Sequence, residues 1–144
     1  MKTNEFQKIL FRAAVLVMAC DNEIHNDEIT EIKNIANQTA YFLDFDYENE
    51  LNKILEEIQG KEKQAISDFM RLLPNLPMKE KHKKAILYVV IKIILADNKI
   101  DDNELQFLKS IKENINIDDE TVFKEFPQHI SLFNDAENSA INEA

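Results

Sequence analysis

Two stretches of the sequence place a carboxylate at the end of an apolar run and a second carboxylate at the start of the next segment. Asp21 and Glu28 stand in FRAAVLVMACDNEIHNDEITEIKNI, residues 11–35, and Asp97 and Glu104 in LYVVIKIILADNKIDDNELQFLKSI, residues 87–111. These stretches are copies of one another, since Asp21, Asn22, Ile24, Glu28, Lys33 and Ile35 align with Asp97, Asn98, Ile100, Glu104, Lys109 and Ile111. Carboxylate oxygens are hard ligands that suit Ca²⁺ or Mg²⁺ rather than zinc. Asp21, Glu28, Asp97 and Glu104, with Asp101 as a further candidate, are therefore the residues that could hold a cation, helped by a loop carbonyl. The segment DNKIDDNE matches positions five to twelve of an EF-hand loop. Its first half is missing: Val17 and Ala19 in one copy, and Ile93 and Leu95 in the other, occupy the places of ligands one and three. An ordinary EF-hand is excluded, and a site would need ligands from both copies or from water.

The same carboxylates have a structural use. Asp21 and Asp97 close apolar helices, at the end where an exposed negative charge is disfavoured by roughly 0.3–1 kcal/mol. N–H groups of the loop and of the next helix can compensate, in an Asx-type turn. This is the commoner arrangement, because every helix end needs caps and few hold cations. Clustering of the carboxylates at one point would favour a cation; dispersal, each on its own loop backbone, would favour the structural role.

Other chemistry is sparse. His25, His82 and His129 lie in different segments without HExxH spacing. Cys20 is the single cysteine, which excludes an internal disulfide or a CxxC pair. On an apolar helix it is expected to be a buried, inert thiol. With no nucleophile–base pair, phosphate loop or Gly-rich turn, an enzyme is not expected. The basic run Lys79-Glu80-Lys81-His82-Lys83-Lys84 is expected to be a solvated face, with docking of an acidic partner as its functional alternative. Tyr41, Phe42, Phe45 and Tyr47 are expected in the core at a helix junction, or else as a partner groove.

The elements that must position these residues are helices. One Gly and three Pro leave little chemistry for hairpins, and the apolar residues recur at helical spacing nearly throughout. The pattern predicts a first helix over Asn4–Cys20 with Thr3 as N-cap, apolar on most sides from Ile9 and closed by Asn22 in the left-handed conformation. A second helix starts near His25 or Asn26, with Glu28 in its first turn, where the helix dipole favours a carboxylate. A third follows Asp46 and stops at Gly60; a fourth spans Glu62–Leu73 and is closed by Pro74 and Pro77, with Ile66, Phe69, Met70 and Leu73 buried. The fifth, Met78–Ala96, is apolar almost all round, and the sixth begins at Asp101 with the D-x-x-E start of a capping box. Leu43-Asp44-Phe45-Asp46 is echoed by Ile115-Asn116-Ile117-Asp118, so a seventh helix is expected over Asp118–Phe126. The fold class is all-α: one domain over residues 1–133, a bundle of about seven helices with a pseudo-twofold internal repeat around two central apolar helices. The repeat units span residues 4–60 and 78–126, with a linking helix over 62–73 and an acidic, weakly ordered tail over 134–144.

A chain of 144 residues that is 44% hydrophobic is long enough to bury a core. Its 27 acidic against 17 basic residues, net charge −10, argue against a nucleic-acid surface or anionic lipid and for cations or basic protein partners. The longest apolar run, Ala85–Ala96, contains Lys92 and is too short for a bilayer, and MKTNEFQK leads straight into an amphipathic helix. A soluble, cytoplasmic protein without direct membrane insertion is expected.

The pattern Ala19-Cys20-Asp21-Asn22-Glu23-Ile24…Glu28-Ile29, repeated as Leu95-Ala96-Asp97-Asn98-Lys99-Ile100…Glu104-Leu105, resembles the TerB-like family of tellurite-resistance proteins and a related domain of DnaJ-type membrane co-chaperones. The resemblance covers about residues 5–133. It implies an all-α bundle, a place in a tellurite-resistance or stress-response system, and an acidic surface for metal ions or protein partners, with the family's Asp at Asp21 and Asp97 and its Glu at Glu28 and Glu104. Asn22 and Asn98 replace the usual Gly, and Cys20 replaces the first small Ala. The expected function is a non-enzymatic module binding a divalent cation, Ca²⁺ or Mg²⁺, or a protein partner through these loops. The alternative is a metal-independent helical adaptor with an acidic surface. Direct binding of tellurite, itself an anion, is disfavoured.

Overall fold

The computed structural model describes residues 1–21, 23–96 and 98–133; Asn22, Asp97 and the expected tail over 134–144 lie outside the described residues. Two helices fill the centre, α1 (Thr3–Ala19) and α5 (Glu80–Ile94). Each has a long stretch with almost no polar side, and each can satisfy that stretch only by being surrounded. Leu10, Phe11 and Ala13 through Ala19 of α1 are buried, as are Ile86, Leu87, Val89, Val90, Ile91, Ile93 and Ile94 of α5, and the two helices pack on each other. They run in the same direction. The Phe6 ring in the first turns of α1 lies 4.4 Å from the His82 ring in the first turn of α5. At the other end, Cys20 after α1 feels the charges of Asp101 and Glu104, which follow α5. Both C-termini, and both candidate loops, are therefore at one end of the molecule.

Around this pair lie α2 (Asn26–Gln38), α3 (Tyr47–Ile58), α4 (Glu62–Leu72), α6 (Asp102–Ile115) and α7 (Asp119–Glu125), with 3-10 turns at Leu73–Asn75 and Pro127–His129. α1 is flanked by α3 and α4, and α5 by α2 and α6. Every element among the described residues is helical or a turn, as the composition predicts. Aligned positions of the two copies take the same local form. Asp44 and Asn116 both have left-handed φ, 59° and 57°, and two residues later Asp46 and Asp118 each cap a helix, accepting the N–H of Asn49 at 3.2 Å and of Thr121 at 2.7 Å. Gly60 (φ 76°) turns the chain after α3.

The differences from expectation are at helix ends. Lys2 rather than Thr3 is the N-cap of α1, because the Glu5 carboxylate accepts the Lys2 N–H at 3.3 Å. α5 starts at Glu80 rather than Met78, since Pro77 is followed by chain that is still extended at Lys79 (ψ 167°). α4 tightens into the 3-10 turn at Leu73, where Pro74 brings no N–H to continue the helix. Burial falls on Phe69 of α4 and on Leu73 in the turn after it, while Ile66 and Met70 are half-buried. The aromatic group divides: Phe42 and Phe45 pack on Phe11 with ring centroids 5.4 and 5.5 Å away, while Tyr41 leaves the core to meet Tyr88 at 5.7 Å. No helix among the described residues is long and apolar enough to cross a membrane.

Candidate functional site

The two loops reach their geometry by the same local device. After α1, Asp21 Oδ1 accepts the N–H of Glu23 at 3.0 Å, and Oδ2 lies 3.7 Å from Nε2 of His25. His25 is the extended N-cap of α2 (φ −91°, ψ 147°), and its N–H donates to Glu28 Oε1 at 3.0 Å. In the second loop Asn98 takes the left-handed conformation (φ 60°), which Asn tolerates better than most residues. Asp101 is then the extended N-cap of α6 (φ −94°, ψ 145°), and its N–H donates to Glu104 Oε1 at 3.0 Å. Asp101 Oδ1 in turn accepts the Asn103 N–H at 2.6 Å. Each Glu is thus the third residue of its helix and reaches back to the cap, where unsatisfied N–H groups and the positive end of the dipole stabilise a carboxylate.

Both glutamates are buried, Glu28 with 2% and Glu104 with 4% of its surface exposed. Burial of a charge is tolerated only where it is hydrogen-bonded or paired, and the cap N–H supplies the first bond in each loop. Glu23 in the first loop, and Asp27 and Asp102 in the first turns of α2 and α6, carry further exposed carboxylates.

Cys20 shows how close the two loops come. Its thiol is held well above the ordinary range, first by burial and then by the carboxylates of Glu104, Asp21, Asp101 and Glu28. Four acidic groups, two from each copy, act on one sulfur. The sequence gives no weight to Cys20 beyond inert packing, although its place beside Asp21 was the available signal. Of the expected ligand set, Asp21, Glu28, Asp101 and Glu104 lie at one end of the bundle, and Asp97 lies outside the described residues. Hard carboxylate oxygens fit Ca²⁺ or Mg²⁺ by type. Among the described residues, however, no three His, Cys, Asp or Glu side chains form a group that could hold an ion. Of the two arrangements set against each other as expectations, attachment to the loop backbone is present for Asp21, Glu28, Asp101 and Glu104.

The other histidines are elsewhere. His82 Nδ1 accepts the Lys79 N–H at 2.9 Å at the opposite end of α5, and His129 borders a cavity of about 430 Å³ with Tyr88, Lys92 and Glu125.

Taken together, the fold and the site define an all-helical bundle with two capping-box loops gathered into one acidic end. The chain belongs to the TerB family: the family described as tellurite resistance protein TerB matches residues 9–124, both loops included. No curated protein and no solved structure matches the chain significantly.

Proposed function

We propose that this chain is a non-enzymatic module of a tellurite-resistance or stress-response system, and that its paired acidic loops form one recognition surface for a basic protein partner. The observation that carries the reading is the gathering of Asp21, Glu28, Asp101 and Glu104 around Cys20 while each spends an oxygen on its own loop or cap backbone. The inner carboxylates shape the loops, and exposed Glu23, Asp27 and Asp102 present charge outward. Such a surface steers a basic partner and sets its register through complementary potential.

A lysine-rich peptide titrated into the ¹⁵N-labelled protein tests this. The expected result is salt-sensitive shifts confined to residues 23–28 and 99–104, abolished in a Glu23→Gln/Asp27→Asn/Asp102→Asn variant. Shifts spread over the other faces, or unchanged in that variant, would remove the loops from consideration.

A second reading is a divalent cation held between the copies. It is favoured by the concentration of carboxylates beyond the C-termini of α1 and α5, where both helix dipoles also present their negative ends. Asp21, Glu28, Asp101 and Glu104 would supply its oxygens, with Asp97 as the remaining member of the expected set.

A further inference from the structure

The opposite end of the central helix pair carries a cavity of about 310 Å³, bordered by Phe6 and Gln7 of α1, Tyr41, and Lys79, Lys81 and His82 at the start of α5. Its polar groups include a buried amide and a set of positive side chains. Gln7 is only 6% exposed, and its Nε2 donates both hydrogens, to Tyr41 O at 3.1 Å and to Leu43 O at 2.8 Å. Two carbonyl partners fix the orientation of the amide, because only the nitrogen can donate to them. Oε1 has no partner among the described residues, where no buried side-chain oxygen or nitrogen goes unpaired, so it stands where solvent reaches it and can accept from water or from a ligand.

The second kind is positive. Lys79 and Lys81 are exposed and make no ion pair among the described residues. His82 accepts the Lys79 N–H on Nδ1 at 2.9 Å, which places the hydrogen of the neutral ring on Nε2 as a donor. No carboxylate borders the cavity, although the chain as a whole carries a net charge of −10. The apolar part of the wall is Phe6, its ring tilted at 4.4 Å from the His82 ring, with Met1, Ala40 and Ala85, and Thr3 adds a hydroxyl.

We infer that this cavity receives the free C-terminus of a peptide ending in an apolar residue. The terminal carboxylate would meet Lys79, Lys81 and His82 Nε2, an amide N–H of the last residues would donate to Gln7 Oε1, and the last side chain would lie against Phe6, Ala40 and Ala85. Carboxylate, neighbouring N–H donor and apolar group occur together in a peptide end. Inorganic phosphate has the charge without the donor or the apolar body, and an internal peptide segment has no terminal charge. Capture of a chain end by convergent donors is an established mode of recognition. The occupant is anionic where the loop end takes a cationic one, so the two surfaces do not compete.

The test is an amide NMR titration of the full chain with acetyl-Ala-Ala-Leu as the free acid and as the C-terminal amide, with inorganic phosphate as a third probe. The free acid is expected to shift Phe6, Gln7, Tyr41 and His82, and to bind at least tenfold more tightly than the amide. A Lys79→Ala/Lys81→Ala variant, checked for parental helicity by circular dichroism, is expected to lose that preference. Because both lysines are exposed, the variant is expected to fold; if it does not, Lys81→Gln alone is expected to halve the preference or reduce it further. Equal binding of acid and amide, shifts elsewhere, or phosphate acting as strongly as the free acid would each overturn the inference.

Discussion

Replacing Glu104 by Ala isolates what the buried carboxylates do for the fold. The side chain is 4% exposed, and its Oε1 holds the Asp101 N–H at 3.0 Å. Loss of a hydrogen bond to a charged group costs about 1.5–3 kcal/mol. The favourable placement at a helix N-terminus adds about 0.3–1 kcal/mol. Relief of repulsion from Asp21, Asp101 and Glu28 acts in the opposite direction, so the net loss is expected near ~2–3 kcal/mol. In a chain of this size each kcal/mol moves the melting midpoint by about 2–4 °C, so Tm should fall by roughly 5–10 °C. Glu104→Gln keeps an oxygen for the same N–H and removes the repelling charge, and its loss should stay below about 1 kcal/mol. Thermal melts followed by circular dichroism, run once with chelator and once with millimolar Ca²⁺, give both numbers. Because the carboxylate serves its own cap, the Ala and Gln losses should be equal in the two buffers. An Ala variant melting within about a degree of the parent would refute the capping account. A loss seen only in Ca²⁺ would transfer the carboxylate's role to the ion.

Four further outcomes follow from the same geometry. Cys20 should react with a disulfide reagent at pH 8 far more slowly in the folded protein than in urea, since burial and the surrounding carboxylates keep it protonated; equal rates would contradict its placement. The folded state keeps a proton that the unfolded chain releases, so the Cys20 contribution to stability is complete below the ordinary thiol range and is lost as pH rises through and above it, a loss absent from Cys20→Ser. His82 is held below its usual value by burial and by neighbouring positive charges, Lys81 and Lys79 among them, so its contribution is present above the unfolded pKa and lost as pH falls through the folded one; a ring-proton NMR titration with an elevated midpoint would contradict this. Phe11, fully buried and packed on Phe42 and Phe45, should cost about 3–5 kcal/mol on replacement by Ala, read from urea unfolding midpoints; a cost under ~1 kcal/mol would place it outside the core.

Much of this architecture is legible in the sequence because it is set by local chemistry. The start of α6 follows from Asp101 and Glu104, and those of α3 and α7 from Asp46 and Asp118, since a cap is a contact between residues a few positions apart. The apolar stretches before Asp21 and Asp97 identify the central helices for a similar reason: a segment without a polar side has to be enclosed. What periodicity does not carry is the direction of α1 relative to α5, and the gathering of both loops about Cys20 depends on that. The burial of Glu28 and Glu104 is hidden for a related reason, since a capping carboxylate looks the same in sequence whether exposed or enclosed. Gln7 is the clearest case. Its partners Tyr41 and Leu43 are more than thirty positions away, and nothing in the first turns of α1 marks it as buried. The start of α5 lies two residues beyond the expected Met78, because the chain is still extended at its N-cap Lys79.

The measurement that bears most directly on the acidic loops is calorimetric titration of Ca²⁺ and Mg²⁺ into the metal-stripped protein, beside an Asp21→Asn/Asp97→Asn variant shown to be folded. A recognition surface whose carboxylates serve their own backbone predicts no saturable heat and a variant less stable than the parent. Saturable heat near one ion per chain, lost in the variant, would contradict it and make the loop end a cation site built from both copies.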